Sequence, residues 1–310
     1  MTKIPLDNDY AQVTAITLHQ ESGKECFEGL SISHAHCQAK VSLYGGQVLS
    51  FKPDGHKDVL WLSEQASYQV GKAIRGGIPL CWPWFGANDK QNEYLTENPT
   101  ITLKTLNHGF ARQLPWHIAS IDADESGVTL VLVLSGDDQH PLWPNAFRLT
   151  QTLFFGKNLK QSLAMSNLSS EDVQYSAALH SYFTVSNPNN VSIDALTGRT
   201  YHDKLTGNSN TQQEPVSCVG EIDREYQSDE KMTLIDHNWQ RKIEIKSGNC
   251  QQWVLWNPGT ELASTMTDIH PQGEQEYVCL EAANTRWQTI PAAETVVISQ
   301  EITVKHYESE

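Results

Sequence analysis

FRLTQTLFFGKNLKQSLAM, residues 147–165, is two runs rich in strand formers with one turn signal, Asn158, between them. The same pattern spreads outward in both directions. VTLVLVL (128–134) is apolar on both faces, which predicts a strand buried between layers. VQYSAAL (173–179), QWVLW (252–256) and EYVCL (276–280) are further strand candidates. KIEIK (242–246) alternates, with Ile243 and Ile245 on one face and charges on the other. TVVISQEITV (295–304) keeps Val296, Ile298, Ile302 and Val304 in phase and is interrupted only by Gln300. Asn187-Pro188, Ser247-Gly248-Asn249 and Pro258-Gly259 supply turn signals. No stretch of a dozen residues carries a 3.6-residue apolar period, so helices are expected to be short and few. Close-spaced strands without βα alternation predict an all-β fold, a large antiparallel β-sandwich. No repeat or Gly/Ser/Pro-rich linker divides the chain. The polar segment from Leu205 to Pro215 predicts an exposed loop too short to separate domains. Residues 1–310 are therefore read as one domain.

Composition narrows the function classes. Of 310 residues, 39% are hydrophobic and 19% charged, enough apolar material for a substantial core. The formal net charge is −15, from 37 acidic and 22 basic residues. General binding to nucleic acid or to an anionic membrane needs a basic field, so neither is expected as a partner. A few arginines can still make a positive pocket inside an acidic protein. The opening MTKIPLDNDY has acidic residues and no apolar run, unlike a secretory signal, and no segment offers about 18 uninterrupted apolar residues. Six cysteines are scattered without a C-x-x-C pair, as free and mostly buried thiols of a reducing compartment would be. A cytoplasmic monomer is the expectation.

Chemistry concentrates in a few motifs. In AIRGGIPLCWPWFG (73–86), Arg75 precedes two glycines, and Trp82, Trp84 and Phe85 interleave with Pro83. Glycine lets backbone approach a ligand, proline fixes a turn, and aromatic faces beside a cation suit a polar ring carrying an anion. The same residues would also make a rigid packed corner. HGFAR (108–112), LHSYF (179–183), EIDREY (221–226) and Glu281 in CLEAAN add two histidines, a second arginine and two carboxylates.

AIRGGIP, HGFAR, LHSYF, the later ID-R-x-Y and a glutamate after WNPG, in this order, resemble the hexose-6-phosphate mutarotases. These are glucose-6-phosphate 1-epimerases of the aldose 1-epimerase superfamily, and the likeness runs from about Val41 to about Val304. The resemblance implies a galactose mutarotase-like supersandwich whose concave face holds a sugar phosphate, with no metal or organic cofactor. Residue by residue it implies Glu281 as the base at the C1 hydroxyl and His180 as the acid at the ring oxygen. Asp223 corresponds to an aspartate beside the sugar hydroxyls or the catalytic histidine, and His108 to a second site histidine. Arg75 and Arg112 are the phosphate candidates. In neutral-sugar relatives the counterpart of Arg75 contacts ring hydroxyls, so the division between the two arginines stays open.

Anomer exchange has chemical requirements of its own. A proton leaves the C1 hydroxyl while another reaches the ring oxygen, the ring opens, the C1–C2 bond rotates and the ring recloses. An acid and a base are expected on opposite sides of the hemiacetal, with pKa values near the working pH. A carboxylate and an imidazole meet that need, each contributing ~10²–10⁴-fold. Arginine's planar fork meets phosphate with two parallel hydrogen bonds, and the glycine pair after Arg75 offers backbone N–H groups to the same anion. The bland alternatives are a carbonyl-satisfied core histidine for His180, a turn residue for His108, a solvated acid for Asp223 and ordinary ion pairs for the arginines. WNPG (256–259) is read as a turn aiming the strand that bears Glu281. His34 and His36, in SHAH, lack a third ligand at metal spacing. DADES (122–126) and GDD (136–138) are read as solvated loops. Three rivals remain: an aldose 1-epimerase of free hexoses, a non-catalytic sugar-phosphate-binding protein, and a glycoside hydrolase using Asp223 and Glu281.

Overall fold

The computed structural model describes residues 6–19, 26–88 and 106–307. The first five residues of MTKIPLDNDY lie outside them. The fold is all-β, and the described residues form three antiparallel sheets of five, eight and eight strands. The five-stranded sheet is a meander ending in Cys37–Ser42 and Gln47–Pro53. The first eight-stranded sheet places Phe147–Gly156, Asn158–Asn167 and Thr295–His306 side by side, with Gly127–Gly136 next to Phe147–Gly156. The second, here the site sheet, is centred on Gln252–Pro258, Tyr277–Ile290 and Val173–Leu179, with Glu221–Gln227 and Thr200–Asp203 toward one edge. Leu163, Ile302, Leu179, Leu255 and Val41, from all three sheets, belong to one buried cluster. Among the described residues, helix is limited to Gly259–Ala263 and a few 3-10 turns. No helix among the described residues is long and apolar enough to cross a membrane.

The decisive stretch forms a hairpin, with Leu159 opposite Phe155 and Met165 opposite Leu149. Its turn lies at Lys157, and Asn158 already opens the second strand. VTLVLVL differs from expectation. Val128, Leu130, Leu132 and Leu134 are buried, whereas Thr129, Val131 and Val133 on the other face are only half-buried. The sheet covers its inner face alone, and apolar side chains on the outer face shield one another across strands. The segment 205–215 is not simply a loop. Its start is the turn of an exposed hairpin, Thr200–Asp203 paired with Asn208–Thr211. DADES likewise includes the end of the His117–Asp124 strand before the turn. WNPG ends one strand and enters the Gly259–Ala263 helix, and it does not turn directly into the strand bearing Glu281. All six cysteines are unpaired, and only Cys26 is exposed. His34 bonds the Asp124 carbonyl through Nε2 at 3.0 Å and accepts from the His36 N–H through Nδ1 at 3.1 Å, so both of its ring nitrogens are used locally.

The Gly76-Gly77 pair threads between two other segments. Gly77 donates to the Trp61 carbonyl at 2.6 Å and Ile78 to that of Val48 at 2.8 Å. A Cβ at Gly77, where φ is +63°, would fall 2.1 Å from the Val48 carbonyl oxygen. Backbone stands there, so nothing flexible can yield. Gly77→Ala is expected to lower stability in urea unfolding by well over the ~1 kcal/mol that left-handed geometry alone costs. Gly55→Ala, with φ +75° and open space around its Cβ, isolates that smaller cost.

Candidate active site

All six residues singled out in the sequence line one cavity of about 230 Å³: Arg75, His108, Arg112, His180, Asp223 and Glu281. Different segments deliver them. The Val173–Leu179 strand stops one residue before His180. Ser181 then bonds back to the Leu179 carbonyl at 2.9 Å, and the chain resumes as Tyr182–Thr184. The break leaves the His180 ring stacked on Tyr182, with centroids 4.8 Å apart and planes 6° apart. Glu281 sits mid-strand opposite Val254, 1% exposed.

Nδ1 of His180 lies 3.3 Å from Oε1 of Glu281. The two are in contact, but the angles do not make a hydrogen bond, and Nδ1 of His180 and Oε2 of Glu281 are buried without a partner. The two groups that the sequence suggests as acid and base are therefore in contact. The C1 hydroxyl and the ring oxygen of a hemiacetal are both bonded to C1, so groups this close can serve both. Burial raises the Glu281 pKa well above the usual carboxylate range, and the charge of Asp223 adds to the shift. Burial lowers that of His180 well below the imidazole range, with Arg112 and Arg75 acting in the same sense.

His108 has φ +63° and Gly109 φ +67°. A Cβ on Gly109 would meet the Trp82 carbonyl oxygen at 2.0 Å, so only glycine lets this loop lie against the Trp82 backbone. The Gly86 N–H donates to Nδ1 of His108 at 3.1 Å. A neutral His108 accepting there carries its proton on Nε2, leaving that nitrogen a donor. Burial and then Arg112 depress its pKa well below the ordinary value, which favours the neutral ring.

The cations differ in what already holds them. Arg75 places Nε and Nη2 each 3.1 Å from Oδ2 of Asp268 and donates through Nη1 to the Tyr182 hydroxyl at 2.9 Å. Burial opposes its charge, but Tyr182 and Asp268 outweigh burial and its pKa is raised. Arg112 donates through Nη2 to the Asn107 carbonyl at 2.7 Å, while its Nε is buried without a partner. Among the described residues no carboxylate pairs with it. Asp223 faces Trp256 across the sheet, and its Oδ2 is 3.7 Å from Nζ of Lys204. Burial raises the Asp223 pKa and Lys204 opposes the rise.

Lys204 and Asp268 are the site residues that the sequence did not reveal. Lys204 stands on the hairpin turn, 3.8 Å from Glu225 and with its ammonium 5.1 Å from the centroid of the Phe85 ring. Asp268, in TMTDIH, belongs to no recognisable motif. Trp82 and Trp84 are buried in the core, whereas Phe85 lines the cavity. The Gly77 N–H, expected to face an anion, is spent on Trp61.

A family model for aldose 1-epimerase matches residues 28–304. A Salmonella typhimurium protein named "Putative glucose-6-phosphate 1-epimerase" is 33% identical over 258 residues, covering 81% of each chain. An Escherichia coli protein of the same name is 33% identical over 260 residues, again covering 81% of each. The crystal structure of a Salmonella typhimurium protein described as a "putative mutarotase" superimposes with a TM-score of 0.84 at 28% identity. It covers 98% of this chain and 96% of its own.

The direction of the Glu281 shift fixes a stability trend. The folded chain keeps a proton on Glu281 that the unfolded chain releases above its ordinary pKa of ~4.3. Native stability is therefore lost as pH rises from there toward the raised folded value. Glu281→Gln removes that loss. In denaturation at a series of pH values, its stability advantage over the native sequence should grow from about pH 4 to neutrality, giving a Tm a few degrees higher at pH 7. A constant or negative difference across the series contradicts the shift.

Proposed function

The chain belongs to the aldose 1-epimerase family, and from that premise we propose that it interconverts the α and β anomers of hexose 6-phosphates, chiefly glucose 6-phosphate. The observation that carries the mechanism is the buried contact of 3.3 Å between His180 and Glu281. Between them they need hold only one proton. In water an imidazole out-competes a carboxylate for it by about two pKa units, roughly 3 kcal/mol. Burial pushes Glu281 up and His180 down, so this gap closes and the proton can reside on either.

Ring opening uses that balance. The carboxylate of Glu281 takes the C1 hydroxyl proton while the imidazolium of His180 gives one to the ring oxygen, and the C1–O5 bond breaks with its electron pair going to O5. The pair is left as carboxylic acid and neutral imidazole, the same net charge in another arrangement. After rotation about C1–C2, the reverse transfers reclose the ring on the other aldehyde face and restore the starting state. His108 donates through Nε2 to a substrate oxygen, and Asp223 accepts from sugar hydroxyls.

Arg112 is assigned to the phosphate. Asp268 already balances Arg75, and Asp223 and Glu225 flank Lys204, whereas Arg112 spends one bond on a carbonyl and leaves Nε unpaired. Arg75, fixed by its clamp, is assigned to sugar hydroxyls. The shared hydrophobic cluster supports reading residues 1–310 as one catalytic domain, the acidic balance supports the absence of a nucleic acid or anionic membrane partner, and the free, mostly buried cysteines support a reducing compartment such as the cytoplasm.

Polarimetry or exchange NMR on anomerically enriched glucose 6-phosphate tests the reaction. Glu281→Gln should slow enzyme-catalysed exchange by ~10²–10⁴-fold while the circular dichroism spectrum is unchanged. Undiminished exchange in that variant rules the mechanism out. Arg112→Ala should raise KM for glucose 6-phosphate by about 10–100-fold, the equivalent of ~1.5–3 kcal/mol for a charged hydrogen bond. Turnover of galactose should be unaffected. Equal losses on both sugars would remove Arg112 from the phosphate.

A further inference from the structure

Gln300 is the polar interruption in an otherwise apolar strand phase, and the acid–base chemistry leaves it without a task. It is 2% exposed, and Gln161 and Gln151 beside it are equally enclosed. Gln300 and Gln161 face each other across neighbouring strands. Burying three primary amides is costly unless each is bonded, and these bond in sequence. The Gln300 amide grips the Ser181 hydroxyl with both ends, Nε2 at 3.0 Å and Oε1 at 3.2 Å. Nε2 of Gln300 also donates to Oε1 of Gln161 at 2.8 Å. Gln161 donates to Oε1 of Gln151 at 2.7 Å, and Gln151 to the Gly46 carbonyl at 2.6 Å.

Both ends of this string adjoin segments that bear site residues. Ser181 directly follows His180 at the break between strands, so its hydroxyl points into the core as the imidazole points into the cavity. At the other end, Gly46 follows Gly45, which donates to the Leu114 carbonyl at 2.8 Å. A Cβ on Gly45 would lie 2.8 Å from the Arg112 carbonyl oxygen. One end is thus tied to the imidazole segment and the other to the arginine loop. Apolar residues of similar volume would hold a sandwich together as well as a bonded amide string does, so stability alone gives no reason for one.

We infer that Gln300, Gln161 and Gln151 form a positioning string that sets the His180 imidazole against the Arg112 loop, making Gln300 a positioning residue for anomerisation although it does not line the cavity. The inference rests on the proposed acid role of His180. A displacement of about 1 Å at a reacting group costs on the order of 10²-fold.

Ser181→Ala deletes the terminal hydroxyl with little change in volume, and Gln300→Leu cuts the string at its centre. Each should lower kcat for glucose 6-phosphate about 10–100-fold in folded protein and shift the ¹⁵N resonances of the His180 ring, while Ser181→Thr, which keeps the hydroxyl, stays near the native kcat. If Gln300→Leu fails to fold, the Ser181 pair carries the test. Native kcat and unchanged His180 resonances in folded Ser181→Ala overturn the string, as do equal losses in Ser181→Ala and Ser181→Thr. Absence of anomerisation by the native protein overturns the proposed function instead, and the ring resonances then still report on the string.

Discussion

Everything about this site follows from placing a carboxyl group where water cannot reach it. Glu281 is 1% exposed and its nearest basic neighbour is an imidazole that is itself buried. A fixed cation bonded to Glu281 would stabilise the anion, depress its pKa and lock the proton off it. Without one, desolvation works on both members of the pair in opposite senses. The result is a carboxyl raised and an imidazole lowered, so the preference for the proton that an imidazole holds over a carboxylate in water is removed. Stability is sacrificed to obtain it, since an unbonded Oε2 and an unbonded Nδ1 sit in the interior.

The fold makes that placement possible by interrupting itself. A continuous strand through residues 173–184 would alternate side chains regularly and satisfy its own ladder. Instead the ladder stops at Leu179 and resumes at Tyr182, and the two residues between are held by other segments. His180 donates its N–H to the Pro79 carbonyl, and the Leu280 N–H reaches the Ser181 carbonyl. The glycine pair at 76–77 is what lets the Pro79 segment come close enough, because any Cβ there would strike the Trp61 or Val48 backbone. Motifs far apart in sequence are thus mutually dependent. The glycines after Arg75 serve the histidine as much as the arginine.

Legibility in the sequence follows the same physics. Strand identity was readable wherever alternation or a β-rich run was long, as in Phe147–Gly156 and Thr295–His306, because one face of each strand must meet the core. The outer-face exposure of VTLVLVL was not readable, since an apolar residue facing half-covered sheet looks the same as one facing a second layer. The six cavity residues were found because their motifs, in order, resemble one family; glycine, proline and aromatic neighbours mark the segments of Arg75, His108 and Arg112, whereas Asp223 and Glu281 stand within strands and carry no such mark. Lys204 and Asp268 carry no such mark. Their place in the site is a consequence of how the Thr200–Asp203 hairpin and the loop after Gly259–Ala263 fold over the sheet, and no local pattern encodes it. The adjacency of His180 and Glu281 was equally hidden, because it depends on the strand break and not on either motif.

Net charge and local charge pull in opposite directions here, and distance decides between them. The whole chain carries a formal −15, which by itself repels a phosphate dianion. At physiological ionic strength, though, interactions between exposed charges fade over about 8 Å, so most surface carboxylates are screened from a ligand inside the cavity. The groups that remain unscreened are those lining it: Arg75, Arg112 and Lys204 against Asp223 and Glu281. Glu281 tends to be protonated, and Asp268 and the Asp223–Glu225 pair offset Arg75 and Lys204 in turn. Three cations are thus matched by three carboxylates, and the guanidinium without a carboxylate partner among the described residues is that of Arg112. On the proposed reading it is this unpaired guanidinium, and not a net positive field, that holds the phosphate. The same neighbourhood bears on the proton: burial first, and then the charges of Arg112 and Arg75, disfavour a protonated His180, while burial favours the protonated Glu281, so an anion that offsets the two guanidiniums would shift the balance back toward the imidazolium.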